Sequence, residues 1–156
     1  MKYWLMKSEP DVYGIDHLAQ QPKKTDHWDG IRNYQVRNMI RDEMKKGDQA
    51  FFYHSNCKEP GIVGIVKVVK EAYPDHTAFD PECKYYDPKS DPENPRWLML
   101  DVQFVCKFAR TISLQELKTY KSLSEMLILR RGNRLSITPV SKKHWDFIIK
   151  QANKAK

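Results

Sequence analysis

The stretch GDQAFFYHSNCKEPGIVGIVKVV (47–69) decides the reading of the fold. Phe51, Phe52 and Tyr53, then Ile62, Val63, Ile65, Val66, Val68 and Val69, are aromatic and β-branched residues that favour extended backbone. They predict strands over 49–54 and 61–69, joined by a hairpin-like loop at 55–60. Working outward, Leu98, Leu100, Val102, Phe104 and Cys106 alternate and predict a third long strand over 98–108. Tyr3–Met6 predicts a short first strand, and 134–137 a short late one. Strands joined by loops rather than by helices favour a mixed or antiparallel sheet, hence an α+β class.

Helices fill the remaining blocks. The spacing of Val36, Met39, Ile40 and Met44 predicts a helix over 35–46, with Arg37, Arg41 and Lys45 on another face and Gly47 as its C-cap. A short helix is expected over 15–21, stopped by Pro22. Two more are expected over 113–119 and 122–129, each opening on a serine. The last is expected over 141–152, capped by Ser141 and burying Trp145, Ile148, Ile149 and Ala152.

The chain has 156 residues and is 40% hydrophobic, which fits one domain spanning 1–156 with a real core. The net charge of +7 is unevenly placed: +1 over 1–60, −3 over 61–104 and +9 over 105–156. A basic last third suits an anionic partner, and equally suits solvated surface lysines. Cys57, Cys83 and Cys106 form no CxxC pair, so neither a zinc ribbon nor a redox dithiol is indicated. Free thiols in a reducing compartment are expected. The apolar start Tyr3–Met6 is too short for a signal or a membrane span, so a cytoplasmic, non-membrane protein is expected. Nothing resembles an oligomerisation helix, which points to a monomer. The segment 74–95 holds five prolines, six acidic residues and two lysines. It is too long for an ordinary connection and reads as a lid or a mobile insert, with Tyr85 and Tyr86 favouring docking.

Several chemistries are absent. There is no GxSxG elbow, Walker A loop, HExxH pair or HxE…PCxxC deaminase signature. Gly61-Ile62-Val63-Gly64 matches a GXXG loop only superficially, because it is apolar and lies in a strand. His54 and Ser55 are adjacent on a strand and point to opposite faces, which disfavours a dyad. The five histidines show no metal-ligand spacing, and no cofactor loop is evident.

What remains is aromatic and polar. Trp4 and Trp145 read as core. Trp28 and Trp97 lie beside turn residues, where an indole is either a plug over the core or a stacking surface. Ser8, Asn33, Tyr53, Ser55, Asn56 and Ser136 are suited to reading a base edge. A flipped-out base needs an aromatic face, edge donors and acceptors, and cations for the flanking phosphates. All three types are present.

The strings YWLMKSEP (3–10), WDGIRNYQVRN (28–38), GDQAFFYHSN (47–56), GIVGIVKVV (61–69), PRW (95–97) and RGNRLSITPVS (131–141), with a final HW helix, occur in order over nearly the full length. Together they resemble the EVE domain family. Val36 departs from that family's usual alanine. The resemblance implies a PUA-like fold: a small open β-barrel of mixed strands surrounded by short helices. It implies a non-catalytic module that binds nucleic acid carrying a modified base, with C5-modified cytosine the leading ligand. It also implies a base pocket of Lys7, Ser8, Glu9, Trp28, Asn33, Tyr34, Tyr53, His54, Ser55, Trp97, Leu135 and Ser136. Trp28 and Trp97 would then be its aromatic walls, with Ser8, Asn33 and Ser55 reading the edge. Lys7, Arg32, Arg130, Arg131 and Arg134 would meet the backbone. Structural alternatives stand beside these roles. Asn33 and Tyr34 suit the start of the helix near Gln35. Arg32 suits pairing with Asp29 or Asp48. The related ASCH domains keep an enzyme reading open, with Glu9, Asp29 or His54 as acid or base.

Overall fold

A computed structural model describes residues 1–154. Six strands form one sheet: β1 (Tyr3–Ser8), β2 (Thr25–Trp28), β3 (Gln49–His54), β4 (Gly61–Pro74), β5 (Leu98–Ser113) and β6 (Ile137–Val140). Their order is β2-β5-β4-β3-β1-β6, so the sheet is mixed and not closed. β1 pairs with β3 in parallel, from Tyr3 opposite Gln49 to Ser8 opposite His54. The other neighbours are antiparallel. Among the described residues no helix is long and apolar enough to cross a membrane.

Both faces of the sheet are covered, which explains the nearly continuous apolar runs of β1, β3 and β4. Alternate residues divide between two cores. Trp4, Met6, Ala50, Phe52, Val66 and Val68 face one, with Val36, Met39 and Ile40 of α3 (Tyr34–Asp42). Ile15 and Leu18 of α2 (Ile15–Ala19) join that core, following the short α1 (Pro10–Tyr13). Leu5, Phe51, Tyr53, Ile62 and Ile65 face the other, beneath Leu117 of α4 (Leu114–Lys118) and Trp145 and Ile148 of α5 (Lys142–Ala152). Trp145 stacks on Phe51 with ring centroids 4.0 Å apart. Ser141 caps α5 and Ser113 caps α4, each accepting from a backbone N–H.

Several expectations are corrected, among them the helix over 122–129, where only two turns of 3-10 helix form, at Lys121–Leu123 and Leu127–Leu129. The helix expected over 35–46 ends at Asp42. Buried Asp48 captures the Lys45 N–H at 3.0 Å, along with Lys2 N and Trp4 Nε1 at the same distance, and draws the chain toward β3. Met44 is buried all the same. Gly47, at φ +96, serves the turn into β3 rather than a helix cap. The late strand begins at Ile137 rather than 134, where pairing with Met6 starts. Its Pro139 is tolerated because β6 is a sheet edge. His27 and Trp28, which read as part of a turn with Asp29 and Gly30, close the edge strand β2 (Thr25–Trp28) on β5.

The insert is docked rather than loose. A turn of 3-10 helix spans His76–Phe79, and Tyr85 packs over Gly30. Arg32 donates to the Tyr85 carbonyl from Nε at 3.1 Å and from Nη2 at 2.5 Å.

Candidate functional site

One end of the sheet opens into a cleft of about 550 Å³, within the range of small-ligand sites. β1 and β3 run parallel and end there together, bringing Ser8 beside Ser55. The chain entering β6 adds Ser136. Backbone bonds hold these ends in line: Ser55 N donates to Ser8 O at 3.0 Å, and Lys7 N to Ser136 O at 2.8 Å. Ser8 Oγ donates to Tyr13 O at 2.7 Å, tying α1 to the floor.

The aromatic surfaces come from two places. Trp28, at the end of β2, is 8% exposed and lies edge-on to Phe52. Tyr85 comes from the insert. Gly30 has φ +76, and a Cβ built there would lie 2.5 Å from Tyr85 Cζ. Only glycine allows this backbone so close to the ring. Fully buried Asp75 fixes the same turn, accepting from Gly30 N at 2.9 Å and Arg32 Nη1 at 3.1 Å.

The cleft is acidic inside a basic chain. Asp26, Asp29 and Glu9 line it, with Lys7 and Lys84. Asp26 Oδ2 accepts from Tyr13 Oη at 2.7 Å. Burial, then that hydrogen bond, raise the Tyr13 phenol well above its usual range. Burial likewise raises the Asp29 carboxyl above its ordinary value, with nearby His27 acting in the opposite direction. Among the described residues no group of three His, Cys, Asp or Glu side chains is placed to hold a metal ion.

The fold brings together six of the expected pocket residues: Lys7, Ser8, Glu9, Trp28, Ser55 and Ser136. The others lie elsewhere. Asn33 caps α3, its Oδ1 accepting from Val36 N at 3.0 Å. Tyr34 is half exposed and stacks on Trp97 at 4.8 Å. Trp97 is 6% exposed and donates Nε1 to Asp87 at 2.6 Å. Tyr85, not Trp97, therefore shares the cleft with Trp28. Tyr53 faces the second core, and Leu135 packs against the first. Arg32 is held by Asp75 and Tyr85, so it fastens the insert instead of offering a free cation. Arg130, Arg131 and Arg134 are exposed around the turn at Gly132, two to six residues before Ser136. Tyr13, Asp26, His27 and Tyr85 line the cleft without having been expected there, and Asp29, named only as an acid or base of the enzyme reading, lines it too. For the first four, the tyrosines of the insert were the one visible signal.

His54 lies outside the cleft lining, and its Nε2 accepts from Ile15 N at 3.1 Å. That role needs a neutral ring, with its proton on Nδ1. Burial is the main cause holding His54 below its usual value of 6.5. The unfolded chain therefore takes up this proton first. The stability it contributes is present at neutral pH and is lost as pH falls through 6.5 toward the folded value. Thermal unfolding at pH 7.5 and 5.5 should show a larger loss on acidification for the parent than for His54→Gln. Equal losses would remove His54 from this account.

An open mixed sheet with helices on both faces and a cleft at its parallel strand ends is the architecture of a PUA-like module. The chain belongs to the EVE domain family, whose model matches residues 2–151. It is 51% identical to thymocyte nuclear protein 1 of Rattus norvegicus over 164 residues, covering 94% of this chain and 72% of that protein. Among solved structures it is similar to human THYN1 protein in complex with 5-methylcytosine-containing DNA. That match has a TM-score of 0.94 and 48% identity, over 100% of both chains. A protein from Pseudomonas putida matches with a TM-score of 0.92 and 45% identity, over 96% of this chain and 99% of that one.

Proposed function

We propose that the chain is a non-catalytic DNA-binding module that takes a C5-modified cytosine, flipped out of its helix, into the cleft beside Trp28 and Tyr85. The observation that carries this reading is the likeness, over the whole solved chain, to human THYN1 in complex with 5-methylcytosine-containing DNA. The cleft supports it: two aromatic surfaces, three serines at the strand ends and lysines at its margin. Stacking on the rings replaces what the base loses on leaving the helix, roughly 1–3 kcal/mol per base. Ser8, Ser55 and Ser136, with the backbone beside them, read the base edge. Exposed Arg130, Arg131 and Arg134 hold the flanking phosphates. The module acts as a single copy.

Fluorescence polarisation tests this with one DNA sequence bearing 5-methylcytosine or cytosine, at 50 and 200 mM salt. Burial of one methyl is worth about 0.8 kcal/mol, so the modified strand should bind about fourfold tighter or better. Affinity for both strands should fall steeply with salt. Tyr85→Ala should cost about tenfold in affinity while leaving the fold intact, because Arg32 holds the Tyr85 carbonyl rather than its ring. Equal binding of the two strands would overturn the proposal.

A further inference from the structure

We infer that Asp29 makes the cleft select cytosine chemistry over thymine, by accepting a hydrogen bond from the exocyclic amino group at C4; this rests on the cleft being a base site. The need for such a residue follows from the ligands. 5-Methylcytosine and thymine carry the same C5 methyl and present similar faces to an aromatic ring. They differ along the Watson–Crick edge. Cytosine offers an amino donor at C4 and an acceptor at N3, whereas thymine offers a carbonyl and an N–H. Aromatic walls tolerate either edge, as do the Ser55 and Ser136 hydroxyls, which can donate or accept; Ser8 Oγ already donates to Tyr13 O. A carboxylate accepts only, and it is the side chain that pairs with the cytosine amino group.

Three carboxylates line the cleft, and two are engaged. Glu9 Oε1 accepts from Asn56 Nδ2 at 3.1 Å, on an exposed side chain. Asp26 uses both oxygens, accepting from Tyr13 Oη at 2.7 Å and from His27 N at 2.8 Å. Asp29 stands apart. Its Oδ2 lies 3.5 Å from His27 Nε2, and among the described residues no other side chain donates to it. The side chain keeps 29% of its surface exposed in the cleft. Asp29 sits in the chain between Trp28, which supplies the indole surface, and Gly30, which lies against Tyr85. A base held by those rings has its edge within reach of this carboxylate. The charge agrees. Asp26 and Asp29 repel a phosphate from the cleft and attract an edge bearing N–H donors, while the exposed arginines before Ser136 keep the backbone outside.

The test is a cycle of protein and base changes. Wild type and Asp29→Asn are titrated with one DNA sequence carrying 5-methylcytosine, thymine or 5-methylpyrimidin-2-one at the same position. The last base keeps the methyl and lacks the amino group. Wild type should bind 5-methylcytosine about tenfold tighter than either of the others. The asparagine amide can turn to donate or to accept, so Asp29→Asn should bring all three within about threefold. Its thermal midpoint should match wild type, because Asp29 holds no other element in place. Should the variant unfold, the comparison of 5-methylcytosine with 5-methylpyrimidin-2-one on wild type still decides. Equal wild-type affinity for those two bases, or full discrimination retained by Asp29→Asn, would overturn the Asp29 assignment alone. Failure of wild type to bind any of the strands would instead overturn the base-site reading, and this inference with it.

Discussion

Asp75→Ala is expected to lower the stability of the domain by about 3 kcal/mol and to loosen the cleft. Asp75 is fully buried, yet it carries a carboxylate. Four donors make that tolerable: Gly30 N, Arg32 Nη1, Thr77 N and Thr77 Oγ1. Hydrogen bonds to a charged group are worth about 1.5–3 kcal/mol each and are not additive. Breaking a buried pair by removing one partner costs about 3–5 kcal/mol. The Arg32 side chain is 24% exposed, so water recovers part of its loss and the lower end applies. Burial by itself would raise the Asp75 carboxyl, but the donors from Thr77, Gly30 and Arg32 outweigh it and hold it below the usual 3.8. A depressed folded value means that stability is present at neutral pH and is lost as pH falls through the unfolded value toward the folded one. The gap in stability between the parent and Asp75→Ala should therefore begin to narrow as pH falls below about 4, the ordinary carboxylate range. Urea unfolding at pH 7 and at pH 3.5 measures both effects. A variant within 0.5 kcal/mol of the parent at pH 7, a change about the size expected at an ordinary surface site, would show that Asp75 is not the tie described. The variant should also bind modified DNA more weakly, since Asp75 fixes the turn at Gly30 beneath Tyr85.

Gly64→Ala is expected to be as damaging for a different reason. Gly64 pairs across the sheet with Phe52 on one side and Lys107 on the other, at irregular steps in both ladders. A Cβ there would meet the Cys106 carbonyl and Ile15 Cδ1 at separations that real Cβ atoms essentially never show. The isoleucine tip can move. The carbonyl belongs to the neighbouring strand and cannot move without breaking the register. Overpacking a core costs about 1–3 kcal/mol, and a clash with backbone belongs at the top of that range. Chemical denaturation of Gly64→Ala with and without Ile15→Val separates the two contacts. Ile15→Val should restore only a minor part of the loss. Full recovery would mean that the side chain, not the strand, sets the requirement for glycine. The glycines of the GIVG run are thus explained by strand packing, in line with the apolar character that argued against a nucleic-acid clamp.

Fold and site were legible to different depths. Strong runs such as QAFFYH (Gln49–His54) need no context, because aromatic and β-branched residues favour extended chain. β2 was missed because Thr25–Trp28 offers little apolar pattern of its own. It is a strand because the edge of β5 that faces away from β4 is left free to pair. The walls of the cleft divide in the same way. Trp28 and the three serines lie in blocks whose resemblance to a known family is plain. Tyr85 lies in the proline-rich insert, where no periodicity marks a residue as facing inward. Trp97 had the same loop context as Trp28, yet it became a plug beneath Tyr34, bonded to Asp87.

By itself the sequence determined the class of fold, the family and six residues of the cleft, because strand propensity, helix caps and ordered motifs act over a few residues. Only the tertiary structure decided which aromatic lines the cleft beside Trp28, which arginine is tied down and which carboxylate of the cleft is least engaged. Those outcomes depend on contacts between residues tens of positions apart, such as Arg32 with Tyr85 and Gly30 with Asp75. No local spacing encodes such contacts, since each partner is chosen by where the sheet leaves it.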